Sequence, residues 1–199
     1  MNINSSIDDT LQCEADIINN LQKSVSKEQL VKVVNAIHDC KGKIITTGCG
    51  TSGTAAQKIA HTLCCIECPA CFLSPANALH GGLGLVQKND IVIMISKGGN
   101  TNELDKMMLS CKAKGVAVIV VTEAQESLLA DKCDILLKLK VEKEPDDFNM
   151  LATGSTLAVI AVFDAISIAV MRLKNYSKDD FLLIHPGGDV GKRLYEGKA

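Results

Sequence analysis

The run Gly48-Cys49-Gly50-Thr51-Ser52-Gly53 follows the apolar stretch Ile44-Ile45-Thr46-Thr47 and leads into a helical pattern. A helix N-terminus leaves backbone N–H groups without partners and carries partial positive charge, so it favours an anion. Glycines let the backbone come close to that anion, and the Thr51 and Ser52 hydroxyls add donors. A phosphate-bearing ligand held at Gly50, Thr51 and Ser52 is one reading. A tight strand-to-helix connection without a ligand is the other. Gly48, Gly50 and Gly53 also fit the dinucleotide pattern G-x-G-x-x-G, a weak signal alone. A dinucleotide site places an acidic residue at the end of the second strand. Here that strand, Ala70-Cys71-Phe72-Leu73, ends in Ser74-Pro75, and Glu67 lies before it. The residues therefore speak against NAD.

A second Gly-rich turn, Ser96-Lys97-Gly98-Gly99-Asn100-Thr101, follows the run Ile91–Ile95 and precedes a helix from Asn102. Two such turns favour the anion reading, and Lys97 adds a full charge. His80 sits among glycines in Leu79-His80-Gly81-Gly82-Leu83-Gly84, outside any apolar period. It reads as a functional imidazole, whereas His38 and His61 lie within helical patterns and read as surface or packing residues. A third turn, Thr153-Gly154-Ser155-Thr156, opens an apolar helix. Before it lies a charged loop, Lys140 to Asp147. Glu144 precedes Pro145 and so is not helical. A carboxylate on this loop could reach the same edge, but sequence does not separate Glu144 from Glu142, Asp146 or Asp147. His185 ends a short helix in the tail, where a purely structural role at a helix C-terminus is as good a reading as a functional one.

These residues need a frame. Apolar positions Ile7, Leu11, Ala15, Ile18 and Leu21 predict a helix over 7–22 with that face packed. Leu30, Val33, Val34 and Ile37 predict another over 27–39, capped by Ser26 with Glu28 in its first turn. From residue 43, apolar runs at 43–47, 70–73, 91–95, 117–121 and 134–138 alternate with helical patterns at 52–66, 102–114 and 125–131. Such alternation implies a parallel sheet covered on both faces. Ligands then sit beyond the carboxyl ends of the strands, at 48–53, 74–84, 96–101, 122–127 and 139–156.

Bulk properties narrow the class. The chain of 199 residues, 47% hydrophobic, suits one domain with a sizeable core. Net charge is −2 with signs interspersed and aromatics are 3%, which speaks against nucleic acid. Met1 to Cys13 lacks a basic region followed by an apolar run, so no secretion signal is expected. The most apolar segment, Leu157 to Met171, contains Asp164 and reads as too short for a bilayer. A cytoplasmic protein that does not engage a membrane follows. Nine cysteines, an odd count, suggest reduced thiols. Cys65, Cys68 and Cys71 resemble part of an iron–sulfur spacing, but Pro75 stands where a fourth ligand is due. They read as small buried hydrophobes, with no metal.

Taken together, the turn Gly48–Gly53, His80-Gly81-Gly82-Leu83-Gly84, Ile95–Thr101, Thr153–Thr156, and Phe181 followed by His185-Pro186-Gly187-Gly188 and Gly191 resemble the sugar isomerase (SIS) domain family. The likeness is closest to its arabinose-5-phosphate isomerase branch and runs from about Gly42 to Leu194. The resemblance implies a three-layer α/β/α fold, doubly wound around a five-stranded parallel sheet. The expected unit is a single SIS domain over 1–199, with N-terminal helices at 1–41 and a phosphosugar-binding core at 42–194. It implies a homo-oligomer, dimer or tetramer, with sites between subunits. The branch often carries a CBS-domain pair after the isomerase domain, which this chain is expected to lack.

By the family pattern, Ser96 and Thr101 bind phosphate, with Thr51 and Ser52 lining the site beside Gly50, Lys97, Ser155 and Thr156. His80, Glu144 and His185 match positions of ring opening and proton transfer. No cofactor or metal is required. The implied activity is aldose–ketose isomerisation of a phosphorylated sugar through an enediol. The alternatives are isomerisation of a hexose or hexulose 6-phosphate, and a phosphosugar-binding regulator without catalysis. The sequence departs from the branch at Thr51, usually Lys, and at Asn100, usually Glu. It departs also at Gly98, usually Ser, and at Gly82, usually Asp. Thr51-Ser52 instead resembles the glucosamine-6-phosphate synthase isomerase turn, and Lys97 is expected to supply the missing positive charge.

Overall fold

The computed structural model describes residues 2–196; Met1 and residues 197–199, which the expected 1–199 unit includes, lie outside the described residues. Five strands carry the frame: β1 (Ile44–Gly48), β2 (Ala70–Phe72), β3 (Ile91–Ile95), β4 (Ala117–Thr122) and β5 (Ile135–Lys138). All pair in parallel in the order β2-β1-β3-β4-β5. Ile44 sits opposite Ile91, and Gly48 opposite Ile95. The strands are the five expected, each bounded within about one residue of its apolar run.

Alternation of side chains sorts the helices into layers. Ile44, Ile93, Ile95, Ile119 and Val121 point to one face. There they meet α1 (Ile3–Ser24), α2 (Lys27–Asp39), α3 (Gly50–Cys64) and α6 (Gly154–Leu173). Ile45, Val92, Met94, Val118 and Val120 point to the other. They pack under α4 (Pro75–Leu79) and α5 (Asn102–Ala113) through Ala78, Leu104, Met107 and Met108. The three-layer, doubly wound sheet is therefore the architecture expected. Two more helices follow, α7 (Lys178–Ile184) and α8 (Gly188–Glu196). The sequence pattern of the tail predicts a short helix followed by a turn, so α8 is an addition to that expectation.

Four expectations need correction. The pattern at 125–131 is not an α-helix; the crossover from β4 to β5 holds only the 3-10 turn Ala130–Lys132. Its backbone donors are spent elsewhere: Leu128 N–H goes to Asn100 Oδ1 and Leu129 N–H to the Gly99 carbonyl. Next, α1 does not bury the face that its apolar spacing marks. Leu21 is buried and Ile17 half-buried against α6, but Ile7, Leu11 and Ile18 are exposed, as is Ile3. The apolar segment at 157–171 belongs to a 20-residue helix with mean hydropathy 2.0, long and apolar enough to cross a membrane. Here α6 packs against α1, α2 and α3, with Val162, Phe163, Ile166 and Val170 buried. Its apolarity thus serves a helix touched on several sides. Finally, of the cysteine triplet only Cys68 is buried; Cys65 and Cys71 are half-buried. Among the described residues no group of three His, Cys, Asp or Glu could hold a metal.

Candidate functional site

The strand order places a topological switch between β1 and β3. The chain leaves β1 for β2 on one side, then crosses back to β3 on the other. The crevice beyond those carboxyl ends is where such sheets hold ligands. The two Gly-rich turns flank it. After β1, Gly50 adopts φ +56, a left-handed conformation. Gly48 and Gly53 let α3 close on β1, since a Cβ on Gly53 would lie 2.7 Å from the Gly48 carbonyl oxygen. After β3, the Ser96 hydroxyl accepts the Gly99 N–H at 3.1 Å and pairs with the Thr101 hydroxyl at 2.9 Å. Gly99 has φ +68, and a Cβ there would collide with Ser127 Oγ, so only glycine fits. Asn100 braces the same turn by donating to the Gly98 carbonyl and accepting from Leu128 N–H.

The helices divide by their first turns. Side chains of Asn2, Ser26, Ser74 and Ser177 cap α1, α2, α4 and α7. Of the helices that open at this edge, α4 is capped by Ser74, whereas α3, α5 and α6 begin at Cys49, Thr101 and Thr153 without a side-chain cap from that residue. Uncapped N–H groups and the dipole leave α3 and α5 receptive to an anion.

At α6 the anion comes from the protein. Glu144 is fully buried, and its Oε2 accepts the backbone N–H groups of Thr153 at 3.2 Å and Ser155 at 3.1 Å. Its Oε1 accepts Lys97 Nζ at 2.7 Å. Asn149 Oδ1 accepts the Glu144 N–H and fixes the loop. Burial pushes the Glu144 carboxyl up, but the Lys97 ammonium and the Ser155 donors outweigh it and hold it below the usual carboxylate range. The other acids of the loop go elsewhere. Glu142 is exposed and pairs with Lys140, Asp146 accepts the N–H groups of Phe148, Met150 and Leu151, and Asp147 is exposed. Geometry thus separates what sequence leaves together.

A cavity of about 80 Å³ gathers the pieces. Thr51 and Ser52 line it from the first turn, Lys97 from the second, Ser155 and Thr156 from α6, and Glu123 from the end of β4. Glu144 is not in the lining; Lys97 covers it. Ser96 and Thr101, in the same turn as Lys97, do not line the cavity, and Gly50 lines a separate one with Cys49 and Gly53. His80 and His185 do not line the cavity. His80 ends α4, exposed, and His185 ends α7, its ring stacked on Phe181 at 3.9 Å and hydrogen-bonded to the Phe181 carbonyl.

Sequence patterning does not single out Glu123. Its Oε1 lies 3.8 Å from Lys97 Nζ and accepts the Val141 N–H at 3.3 Å. Burial pushes its carboxyl above the usual range, and the nearby Glu144 charge adds to that. The strand-end rule marks the segment 122–127, and an acidic residue directly after β4 is the available signal.

An open parallel sheet with uncapped helix N-termini around its switch point defines a class of small-anion-binding α/β folds. Within that class, the SIS domain family matches residues 36–172, and the chain belongs to that family. Over 190 residues it is 37% identical to arabinose 5-phosphate isomerase KpsF of Escherichia coli, a match that covers 96% of this chain and 60% of that protein. It is 32% identical to arabinose 5-phosphate isomerase KdsD of Francisella tularensis, covering 96% of this chain and 59% of that one. The chain thus spans about 60% of the length of these curated relatives. Among solved structures, a Listeria monocytogenes protein described as a candidate sugar-phosphate isomerase superposes with TM-score 0.92 at 51% identity. That match covers 94% of this chain and all of the other. An Escherichia coli CFT073 protein in complex with arabinose 5-phosphate gives TM-score 0.89 at 31% identity, with the same coverage.

Proposed function

We propose that the chain interconverts a phosphorylated aldose and ketose through an enediol, with arabinose 5-phosphate as the first substrate to try. The observation that carries this is Glu144: a buried, ionised carboxylate beside an anion-receptive crevice. The phosphate sits at the turn Ser96–Thr101, beside the pocket that Thr51, Ser52, Ser155 and Thr156 line, with left-handed Gly50 shaping the first turn. Glu144 takes the proton from the carbon next to the carbonyl and returns it to the neighbouring carbon. A positioned acid–base group contributes about 10²–10⁴-fold. Fixed N–H donors at the helix ends stabilise the developing oxyanion. The relatives named arabinose 5-phosphate isomerase, and the structural neighbour that carries the sugar phosphate, support this reading.

His80 and His185 act in ring opening and proton transfer in the cavity of a second copy. Two observations support that arrangement. Neither histidine lines its own chain's cavity, and α1 turns Ile3, Ile7, Leu11 and Ile18 outward. The working form is thus a homo-oligomer in which each copy contributes its SIS domain, and the free thiols of the described residues favour a cytoplasmic setting.

A second reading, a phosphosugar sensor without turnover, is favoured by one feature. Lys97 covers Glu144 and weakens it as a base. A thermal-shift screen of pentose and hexose phosphates, followed by an isomerisation assay on each hit, separates the two. Stabilisation by arabinose 5-phosphate with formation of the 2-ketose is the expected result. Stabilisation without any interconversion selects the sensor.

A further inference from the structure

Lys97 stands between two carboxylates. Its ammonium lies 2.7 Å from Glu144 Oε1 and 3.8 Å from Glu123 Oε1. Glu144 is sealed from solvent, while the Glu123 side chain is 22% exposed and faces the cavity. The Lys97 side chain is 41% exposed, so its stem is not packed in place. Glu123 is itself fixed, because Val141 N–H donates to its Oε1 and it follows the last residue of β4 directly. Other charges around it are few: Lys140 from the segment after β5, besides Lys97 and Glu144.

A base cannot work while an ammonium occupies its acceptor oxygen. Uncovering Glu144 requires Lys97 to leave, and a lysine that leaves one carboxylate in a partly buried site needs another partner. Glu123 is placed to be that partner. We propose that Glu123 is a positioning residue: it receives Lys97 when substrate enters, and so exposes Glu144. This rests on Glu144 being the base. No bond from Glu123 to substrate is involved.

Removing the Glu123 charge has a defined sign. Without its second partner, Lys97 stays on Glu144, and one like charge near Glu144 is lost. Both changes favour ionised Glu144, so its carboxyl titrates at lower pH. Glu123→Gln should therefore lower kcat by up to about 10-fold, as a weaker and more tightly held base predicts. KM should change little, and the acidic limb of the kcat profile should move to lower pH. Glu123→Asp keeps the charge and should restore the limb. A merely structural role, holding Val141 N–H, is also met by glutamine and would leave the profile unmoved.

The coupling is measurable without any substrate. With ¹³C-labelled glutamate, the Glu144 carboxyl should titrate at lower pH in Glu123→Gln than in the wild type. In the wild type the two carboxyls should each report the other's step, which keeps the test open if the variant does not fold. An unshifted Glu144 titration in the variant, or independent single-step curves in the wild type, overturns the proposal. If the coupling is present but no phosphosugar is turned over, the isomerase reading fails and the uncovering role of Glu123 fails with it, leaving only a charge coupling between two carboxylates.

Discussion

Glu144 is held by three donors in a setting that excludes water, and that has a consequence for stability. Its carboxyl is lowered from the ordinary value, so the fold prefers the ionised form. The stability it contributes is complete above the unfolded-state carboxyl range and is lost as pH falls through the folded value. Glu144→Gln should cost about 1–3 kcal/mol at neutral pH, the scale for weakened hydrogen bonds to a charged group. The gap between variant and wild type should close as pH falls through the folded Glu144 value, below which both carry a neutral side chain. Chemical denaturation from neutral pH down past that value measures this. A gap independent of pH would mean that Glu144 is not ionised in the fold. The local sequence does not single out this residue from its three acidic neighbours. Burial under Lys97 and the donors from α6 decide the matter, and both are set by segments outside the loop, one before it and one after.

At the scale of elements, the crossover between β4 and β5 is where the helical expectation fails, and the failure is informative. Its amides serve the turn after β3: Leu128 N–H on Asn100, Leu129 N–H on Gly99. Asn100 replaces the acidic residue usual in the resembling branch, and its amide can both donate and accept, which a carboxylate cannot. Asn100→Ala leaves the exposed Leu128 N–H to water and should cost about 0.5–1.5 kcal/mol. Melting should drop by several degrees, given roughly 2–4 °C per kcal/mol for a chain of this size. Amide exchange at Leu128 and Leu129 should speed up, and unchanged protection there would show that the brace does not hold the turn. The strands, by contrast, are readable almost to the residue. A two-sided parallel sheet asks for continuous Val and Ile runs, and that demand is local. Tertiary hydrogen bonds between a turn and a crossover leave no such trace.

For the whole molecule, the proposed assembly links the apolar stripe of α1 to the two histidines that lie outside the cavity lining. A sequence pattern marks Ile7, Leu11 and Ile18 as a face to be buried, and it is right about apolarity while one chain leaves them open. Covering that stripe with a second copy is what an isologous assembly would do, and in the proposed assembly His80 and His185 would serve a neighbouring crevice. The central claim, however, sits within each chain: Glu144 moves the substrate proton. The most direct measurement is exchange of the substrate C–H hydrogen in D₂O, followed by NMR with arabinose 5-phosphate or the best-bound phosphosugar, in wild type and Glu144→Gln. Wild type should incorporate deuterium as it isomerises. Glu144→Gln should bind the sugar with near-normal affinity, because the phosphate contacts lie elsewhere, while exchange and turnover fall together by about 10²–10⁴. Exchange at the wild-type rate in Glu144→Gln would contradict the account.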